Sequence, residues 1–319
     1  MRAAQVVTPT GPADVVVNEV AEPTPGPADV LVAVHSVGIS FPDLLLSRGE
    51  YQLKPDPPFT LGVDFAGTVV GAGHGLEEGQ RVAGVLPHGG AAELVVCPAP
   101  FVFPLTDRLS FDEGAALPMN YLTAQFALVE RGSLAAGETV LVHGAAGGVG
   151  TASLQVAKGY GARTIAVVSS EEKAEVARAA GADEVVGRDG FRDVVRDLGG
   201  ADVVVDVVGG AAFTDSLRVL KEQGRLLVIG FAAGEGIPEV KVNRLLLNNI
   251  DVRGVGWGAY AMTRPAYMQE QWAALVPLIE DGTVSPPVGT TYTLDEFGRA
   301  LADMEARRTL GKSVVHVVD

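Results

Sequence analysis

The sequence predicts an α/β protein that combines a mainly β, barrel-like unit with a parallel-sheet unit. Its 319 residues are enough for about two domains. Residues 1 to about 110 hold short β-branched runs separated by Pro and Gly, which is typical of a β-barrel. From about residue 112, strand-like runs alternate with helix-like runs, and this pattern indicates βαβ units and a parallel sheet.

The N-terminal part contains the strand signals of the barrel-like unit. Its short apolar runs are Val15–Val17, Val30–Val34, Gly67–Val70 and Glu93–Val96, and turns rich in Pro or Gly separate them. One helix is predicted near Phe41 to Arg48, where Pro42 suits the first helical turn because no N–H partner is needed there.

The second part contains the signals of the parallel sheet. Its predicted buried strands are Thr139–His143, Thr164–Val168, Asp202–Val208 and Arg225–Ile229. The predicted helices that alternate with them are Val149–Lys158, Glu171–Ala180, Phe191–Leu198 and Phe213–Leu220. A further helix near Gln269–Glu280 and a terminal strand Ser313–Val318 follow. Because this tail is too small to stand alone, we expect it to pack on the first unit.

The composition excludes several classes of protein. The formal charge is −15, from 24 basic and 39 acidic residues without basic blocks, which argues against nucleic acid or an anionic membrane surface as partner. The only cysteine, Cys97, permits neither an intrachain disulfide nor a Cys-rich zinc site. No apolar run reaches the roughly 18 residues of a membrane helix, and the N-terminus lacks the apolar stretch of a signal peptide. We therefore expect a reduced, cytoplasmic protein.

The most informative motif is the Gly-rich stretch Gly144–Gly150, which lies between a predicted strand and a predicted helix. It matches the dinucleotide fingerprint G-x-G-x-x-G with Ala145 at the first position. Such a turn lets backbone N–H groups approach a pyrophosphate, and the helix N-terminus adds unpaired donors and a positive dipole end. The predicted cofactor-binding residues of this turn are Ala146, Gly147, Gly148 and Val149.

The end of the second strand of this unit indicates which dinucleotide binds. An NAD site carries an acidic residue about 20 positions after the glycines for the ribose 2′-hydroxyl, and no carboxylate ends this strand. Ser169 stands there instead, Lys173 lies one helical turn beyond, and Arg188 follows the next short strand. Glu171 and Glu172 are interpreted as first-turn helix residues that point to solvent. The sequence therefore favours NADPH, with its 2′-phosphate at Ser169, Lys173 and Arg188.

Along essentially its whole length, the chain resembles a known family. The resemblance is carried by Gly38–Asp43, Arg48–Tyr51, Gly62–Val69, Tyr121–Ala124, Gly144–Gly150 and Gly311–Lys312. These stretches are similar to those of zinc-independent medium-chain dehydrogenases/reductases of the quinone oxidoreductase (zeta-crystallin-like) type. The resemblance implies a GroES-like β-barrel catalytic domain made of residues 1–118 and 259–319. A Rossmann dinucleotide-binding domain with a doubly wound parallel sheet, residues 119–258, is inserted in it, and the active site lies in the cleft.

The resemblance also bears on a metal site. Zinc-dependent relatives carry Cys at the position of Ser40 and His-Glu at the positions of Val63 and Asp64. A catalytic zinc takes three Cys, His or carboxylate ligands from the protein, and these positions offer at best one. We therefore expect no catalytic metal.

The resemblance assigns further residues to the site. Tyr51 is the first candidate to donate a hydrogen bond or a proton to the acceptor carbonyl, and a packing or substrate-shaping role fits it equally. Ser40 is the second candidate catalytic residue, and it replaces the Asn that many quinone reductases place beside the nicotinamide. The other cofactor-binding residues implied are Thr123, Gly230, Phe231, Ala232, Val255, Trp257 and Lys312. Phe231 and Trp257 follow late strands, where ligands collect in such sheets, and each could equally be interdomain core.

Motifs and resemblance together predict an NADPH-dependent oxidoreductase that transfers hydride to a quinone or another α,β-unsaturated carbonyl without a metal. Two alternatives stay open: an enoyl-thioester (enoyl-CoA) reductase on the same scaffold, and a non-catalytic NADPH-binding protein with a structural or sensing role. No cluster of cations marks the entrance that coenzyme A would need, which favours a small acceptor. The resemblance further implies a homodimer that pairs through the Rossmann domain at Leu245–Trp257.

Overall fold

The computed structural model describes residues 1–318, which divide into two compact units. The first unit consists of residues 1–119, 265–276 and the segment from 286 onward. The second consists of residues 120–264 and 277–285. The first unit is therefore discontinuous in sequence. Among the described residues, no helix has both the length and the apolar character needed to cross a membrane.

The described part of the chain folds into strands and helices, numbered in chain order. The strands are β1 Arg2–Val6, β2 Val15–Glu19, β3 Asp29–Gly38, β4 Phe59–Thr60, β5 Asp64–Val69, β6 Arg81–Val85, β7 Leu94–Pro98, β8 Val102–Pro104, β9 Thr139–His143, β10 Arg163–Val168, β11 Glu184–Gly187, β12 Ala201–Asp206, β13 Leu220–Val228, β14 Asp251–Gly254, β15 Val288–Thr293 and β16 Lys312–His316. The helices are α1 Phe41–Ser47, α2 Phe111–Ala116, α3 Thr123–Gln125, α4 Gly148–Gly159, α5 Glu171–Ala179, α6 Phe191–Asp197, α7 Gly210–Val219, α8 Asn243–Asn248, α9 Trp257–Ala261, α10 Pro265–Glu280 and α11 Phe297–Glu305. Two π-helical segments, Pro118–Leu122 and Phe126–Arg131, flank α3.

The first unit is built on a seven-stranded, mainly antiparallel sheet. The strand order is β15-β16-β3-β5-β6-β8, with β7 also paired to β3, and a smaller sheet has the order β2-β1-β4. Buried and half-buried residues alternate along most of β3, the period-2 pattern of a strand with one face on the core. The C-terminal β16 pairs antiparallel with β3 at Ser36–Gly38, so the end of the chain adds a strand to the sheet of the N-terminal part.

The start of α1 positions two polar side chains in this unit. Ser40 is the N-cap, and Pro42 lies in the first turn. Asp43, at the third helical position, accepts the N–H of Ser40 at 3.0 Å, as in a capping box. Its other carboxylate oxygen accepts the N–H of Gly62 at 2.9 Å. These bonds fix the beginning of α1 against the turn between β4 and β5.

The second unit contains one six-stranded parallel sheet. Its strand order is β11-β10-β9-β12-β13-β14. The chain first adds β10 and β11 on one side of β9 and then adds β12, β13 and β14 on the other side, as in a doubly wound sheet. Every residue of β9 is buried, as expected for a strand covered on both faces. One core cluster joins Leu141 and Ile165 of the sheet to Phe191 of α6 and Phe213 of α7. With the β-rich first unit, this sheet confirms the predicted fold class.

The predicted strands and helices of the second unit are present, with shifts at their ends. The largest shifts are at α7, which begins at Gly210 and not Phe213, and at β13, which begins at Leu220 and not Arg225. The helix starts early because Asp206 Oδ1 accepts the N–H groups two and three residues further on, which turns the chain into α7. The strand starts early because Leu220 pairs with β12 ahead of a bulge.

Arg225 on β13 is a buried cation that ties the sheet to the loop before β9. Its guanidinium donates to both carboxylate oxygens of Glu138 at 2.6 Å and also to the carbonyl oxygens of Gly132, Ser133 and Asp202. Only 8% of the Arg225 side chain is exposed. Hydrogen bonds from Arg225 to the charged carboxylate lower the pKa of Glu138.

We expect Arg225→Met to lower the free energy of unfolding by about 3 kcal/mol, because the Glu138 carboxylate loses its counter-charge. Since the folded pKa of Glu138 is lowered, the pair stabilises the fold above the unfolded pKa of about 4.3. That contribution is lost as the pH falls through the folded pKa. Urea denaturation at pH 7 and at acid pH measures both effects.

The control for this variant is Arg299→Met, which removes an exposed ion pair with Glu296. Such pairs contribute little to stability, so the control should lose less than about 1 kcal/mol. A loss for Arg225→Met as small as that of the control would contradict the role given to the buried pair.

Candidate active site

The turn between β9 and α4 is packed closely around its glycines. A Cβ at Gly150 would overlap the carbonyl oxygen of Gly144, so only glycine fits there. Gly147 is the N-cap of α4 and makes no side-chain cap hydrogen bond to this helix. The first N–H groups of the helix and the positive end of its dipole are available to an anion. The residues that form the turn and open the helix are the predicted Ala146, Gly147, Gly148 and Val149.

The next group of predicted residues follows the carboxyl ends of neighbouring strands. Gly230, Phe231 and Ala232 follow β13, and Val255 and Trp257 follow β14. The predicted Thr123 lies in helix α3. Val255, Trp257 and Thr123 are buried, whereas Phe231 is 39% exposed. Asp206, at the end of β12, has a buried Oδ2 with no hydrogen-bond partner among residues 1–318. Sheets of this type bind ligands where the strand order reverses, here between β9 and β12.

A cleft of about 340 Å³ lies beside the end of β10. Its apolar lining includes Val168, Ala174, Val185 and Val186, and its polar lining includes Ser169, Ser170, Glu171, Arg178, Arg188 and Asp189. The predicted Ser169 and Arg188 therefore face one cavity. The ammonium of Lys173 donates to Ser169 Oγ at 3.3 Å, next to the same cavity. Apolar and cationic side chains in one cleft suit an adenine ring and a phosphate.

The first unit contains a buried cluster of charged and polar groups. The Lys312 ammonium on β16 donates to Asp64 Oδ2 at 2.7 Å and to Ser40 Oγ at 2.6 Å. The Ser40 hydroxyl donates to the same Asp64 oxygen at 2.8 Å, and Asp64 Oδ1 accepts the N–H of Met119 at 2.8 Å. Gly38 permits this arrangement because a Cβ there would lie 2.7 Å from Lys312 Cε. The cluster thus brings the predicted Ser40 and Lys312 together around a carboxylate.

Two further titratable groups belong to the surroundings of this cluster. Burial raises the pKa of Asp43 to about 7, although the N–H groups of Gly62 and Ser40 and the Lys312 charge act in the opposite direction. Burial, and then the Asp43 charge, raise the pKa of Tyr51 above its ordinary value. The Tyr51 phenol is therefore protonated at neutral pH. Within the part of the chain that the structure describes, its hydroxyl makes no hydrogen bond.

Comparison with known proteins shows which family has this architecture. The family models described as "Alcohol dehydrogenase GroES-like domain" and "Zinc-binding dehydrogenase" match residues 26–107 and 148–281. Quinone oxidoreductase-like protein 2 of Bos taurus is 36% identical over 306 residues, which cover 93% of this chain and 87% of that protein. The chain belongs to the quinone oxidoreductase family of medium-chain dehydrogenases/reductases.

Solved structures of similar proteins extend the likeness to the whole chain. The quinone oxidoreductase of Thermus thermophilus, solved also as its complex with NADPH, has a TM-score of 0.88 and 33% identity and covers 99% of this chain and 100% of its own. A mycobacterial protein complexed with NADPH has a TM-score of 0.90 and 31% identity, with coverage of 99% and 100%. The predicted family and its GroES-like and Rossmann domains are therefore confirmed.

The residues of this quinone oxidoreductase family member do not fit a catalytic zinc ion. Such an ion takes three Cys, His or carboxylate ligands, whereas Ser40 and Val63 supply none of these groups. The remaining candidate, Asp64, is bound to the Lys312 ammonium at 2.7 Å. In residues 1–318, no three His, Cys, Asp or Glu side chains are placed to hold a metal together. The positive charge at this point of the fold is carried by Lys312.

Two residues gain a partner that the sequence did not indicate. Lys312 was predicted as a cofactor-binding residue, and the structure pairs its ammonium with Asp64. Glu171 was expected to point to solvent; its side chain is 74% exposed, yet it accepts a hydrogen bond from Arg178 at 2.6 Å. Arg178 itself was not predicted. Its spacing of seven residues from Glu171 exceeds the three or four by which helical side-chain pairs are recognised, so no sequence signal identified it.

We expect Lys312→Met to lower the free energy of unfolding by about 3 to 5 kcal/mol, because the Asp64 carboxylate is then buried without its counter-charge. The double variant Lys312→Met/Asp64→Asn should lose less than the sum of the two single losses, because no uncompensated charge remains. A double-mutant cycle measured by urea denaturation at pH 7 gives this coupling. Additive losses would show that the two groups do not stabilise each other.

Proposed function

We propose that the protein is an NADPH-dependent oxidoreductase that transfers hydride to a quinone or another α,β-unsaturated carbonyl compound without a metal. The observation that carries this proposal is the cleft that Ser169 and Arg188 line at the end of β10, in the same sheet as the glycine turn. The glycine turn follows β9, and the cleft lies at the end of the neighbouring strand β10, which has no carboxylate at its carboxyl end. This arrangement suits a dinucleotide with a 2′-phosphate. The names of the quinone oxidoreductase relatives and the two structures complexed with NADPH support it.

The chain offers binding groups for each part of NADPH, which supplies the hydride when bound. Backbone N–H groups of residues 146–149 would bind the pyrophosphate. The side chains of Ser169, Lys173 and Arg188 would bind the 2′-phosphate. Thr123 and the loops after β13 and β14 would bind the nicotinamide half, at the carboxyl edge of the sheet.

Ser40 is assigned as a hydrogen-bond acceptor for the nicotinamide carboxamide. Its proton is donated to Asp64, and one of its lone pairs accepts from Lys312. A hydroxyl group has one donor site and two acceptor sites, so the site that remains accepts an N–H. Lys312 thereby serves the cofactor through Ser40, whose oxygen it holds in place. Ser40 is not the proton donor of the reaction.

Tyr51 is assigned as the hydrogen-bond donor to the acceptor carbonyl. Hydride transfer to a quinone or an enone places negative charge on the carbonyl oxygen, and a positioned donor stabilises that charge. The raised pKa of Tyr51 keeps its proton on the phenol at neutral pH. Further protonation of the product is left to water.

A homodimer through the parallel sheet is also proposed. In the described chain β14 is an edge strand, paired to β13 alone, and such an edge presents a row of unpaired N–H and C=O groups. The segment before it contains Ile237, Val242, Leu246 and Leu247, each more than 70% exposed. Exposed apolar side chains next to an open edge favour a protein partner. Pairing of two β14 strands would cover both features.

A cytoplasmic location is proposed as well. The only cysteine, Cys97, is a buried free thiol, and burial raises its pKa, which makes it a poor nucleophile. A chain with no disulfide does not need an oxidising compartment. Fractionation of the native cells measures where the protein resides.

The activity is tested by following NADPH absorbance with naphthoquinone, benzoquinone, a simple enone and crotonyl-CoA. We expect oxidation with the quinones or the enone, at a higher kcat/KM for NADPH than for NADH. A preference for crotonyl-CoA would instead indicate an enoyl-thioester reductase. Binding of NADPH without oxidation across the whole panel would indicate a non-catalytic protein.

In the same assay, Tyr51→Phe should lower kcat by about tenfold or more, because the developing charge on the carbonyl oxygen loses its donor. The matched control is Tyr292→Phe, which removes a phenol that donates to Asp303 at 2.8 Å. This control should retain the wild-type kcat. An unchanged kcat for Tyr51→Phe would leave Tyr51 with a packing role.

The dimer is tested by sedimentation velocity. The wild-type chain should sediment as a dimer of the 33.0 kDa subunit. Leu246→Asp/Leu247→Asp should produce a folded monomer, because both side chains are exposed in the single chain and would meet in the dimer. A wild-type monomer at micromolar concentration contradicts the proposed interface.

A further inference from the structure

The cleft beside β10 contains a second arginine, which the roles assigned above do not use. Arg178, near the end of α5, lines the cleft together with Arg188. Its Nη1 donates to Glu171 Oε1 at 2.6 Å, across two turns of the helix. Helical side chains lean towards the N-terminus of their helix, so the guanidinium reaches the first turn of α5, which follows Ser169 and Ser170.

Each arginine of the cleft is matched by one carboxylate. Arg178 pairs with Glu171, and Arg188 Nε lies 3.4 Å from Asp189 Oδ1. All four side chains are more than half exposed, so both ion pairs are hydrated and easily exchanged. A phosphate group carries more charge than a carboxylate and offers the planar guanidinium a bidentate partner. A phosphate group can therefore take the place of a carboxylate at this position.

We propose that Arg178 binds the 2′-phosphate of NADPH and that Glu171 competes with the phosphate for it, which sets the selectivity between NADPH and NADH. The proposal rests on the proposed NADPH-dependent function and adds two residues to it. In the free chain, Glu171 holds the Arg178 guanidinium at the cleft and neutralises it. When the 2′-phosphate binds, Arg178 exchanges partners and Glu171 is left to solvent.

Glu171 affects the two cofactors in opposite directions. NADH has a neutral 2′-hydroxyl in place of the phosphate, and a carboxylate that accepts this hydroxyl is the residue type that NAD sites use. Glu171 lines the cleft and can accept it without leaving Arg178. NADPH must instead displace Glu171, whose charge also repels the phosphate. Removal of this one charge should therefore favour NADPH at the expense of NADH.

Isothermal titration calorimetry with NADPH, NADH, 2′,5′-ADP and 5′-AMP measures this selectivity without turnover. We expect Arg178→Met to raise the Kd of NADPH and 2′,5′-ADP about tenfold or more, and that of NADH and 5′-AMP less than about twofold. Arg178→Lys keeps the charge without the planar fork, so its Kd for 2′,5′-ADP should be intermediate. Glu171→Gln should lower the Kd of NADPH about threefold and should raise that of NADH.

The matched control is Arg218→Met, which removes an exposed ion pair with Asp215 on α7, outside the cleft. Thermal melting shows that each variant is folded. If both Arg178 variants bind 2′,5′-ADP as the wild-type chain does while that chain oxidises NADPH, the role of Arg178 is wrong and the proposed function stands. If the wild-type chain binds neither NADPH nor 2′,5′-ADP, the proposed function fails as well. If the Arg178 variants lose affinity for NADPH and NADH equally, Arg178 does not set the selectivity between the two cofactors.

Discussion

The Lys312 ammonium holds three segments of the first unit at one point. From the last strand it reaches Ser40 at the start of α1 and Asp64 at the start of β5, which lies 248 residues earlier in the chain. Burial of a cation and a carboxylate has a large desolvation cost, which their attraction and short hydrogen bonds offset. Because the Ser40 hydroxyl and the Met119 N–H also bind Asp64, the carboxylate is satisfied on both oxygens. The orientation of Ser40 thus depends on the C-terminal strand.

In the second unit, the buried ion pair and the proposed binding groups lie at opposite ends of the strands of one sheet. Arg225 and Glu138 join β13 to the loop that precedes β9, at the amino-terminal edge. At the carboxyl edge, the glycine turn and the Asp206-bound turn leave N–H groups and loops for a ligand. The Arg225–Glu138 pair can therefore hold the strands in register without constraining the loops proposed to bind the cofactor. The same separation lets the cleft at Ser169 keep its charges exposed and exchangeable.

How much of the fold and of the candidate site could be predicted from the sequence depends on whether each feature is determined by neighbouring residues. β9 is a continuous apolar run next to a glycine turn, and both can be interpreted from neighbouring residues alone. The start of β13 was misplaced because it depends on pairing with another strand. The contact between Lys312 and Asp64 leaves no local pattern at all. Arg178 and Glu171 share a helix, but their spacing of seven residues exceeds the three or four by which helical pairs are recognised.

The discontinuous first unit has a consequence for biosynthesis. Translation releases β3 early, whereas its partner β16 begins only at Lys312. The second unit, which ends at residue 285, is fully synthesised before then. Since domains fold as units during synthesis, the parallel sheet forms while the Ser36–Gly38 end of β3 still lacks its β16 partner. For that interval the nascent chain presents an unpaired strand end to chaperones and to other nascent chains, and the synthesis of β16 covers it.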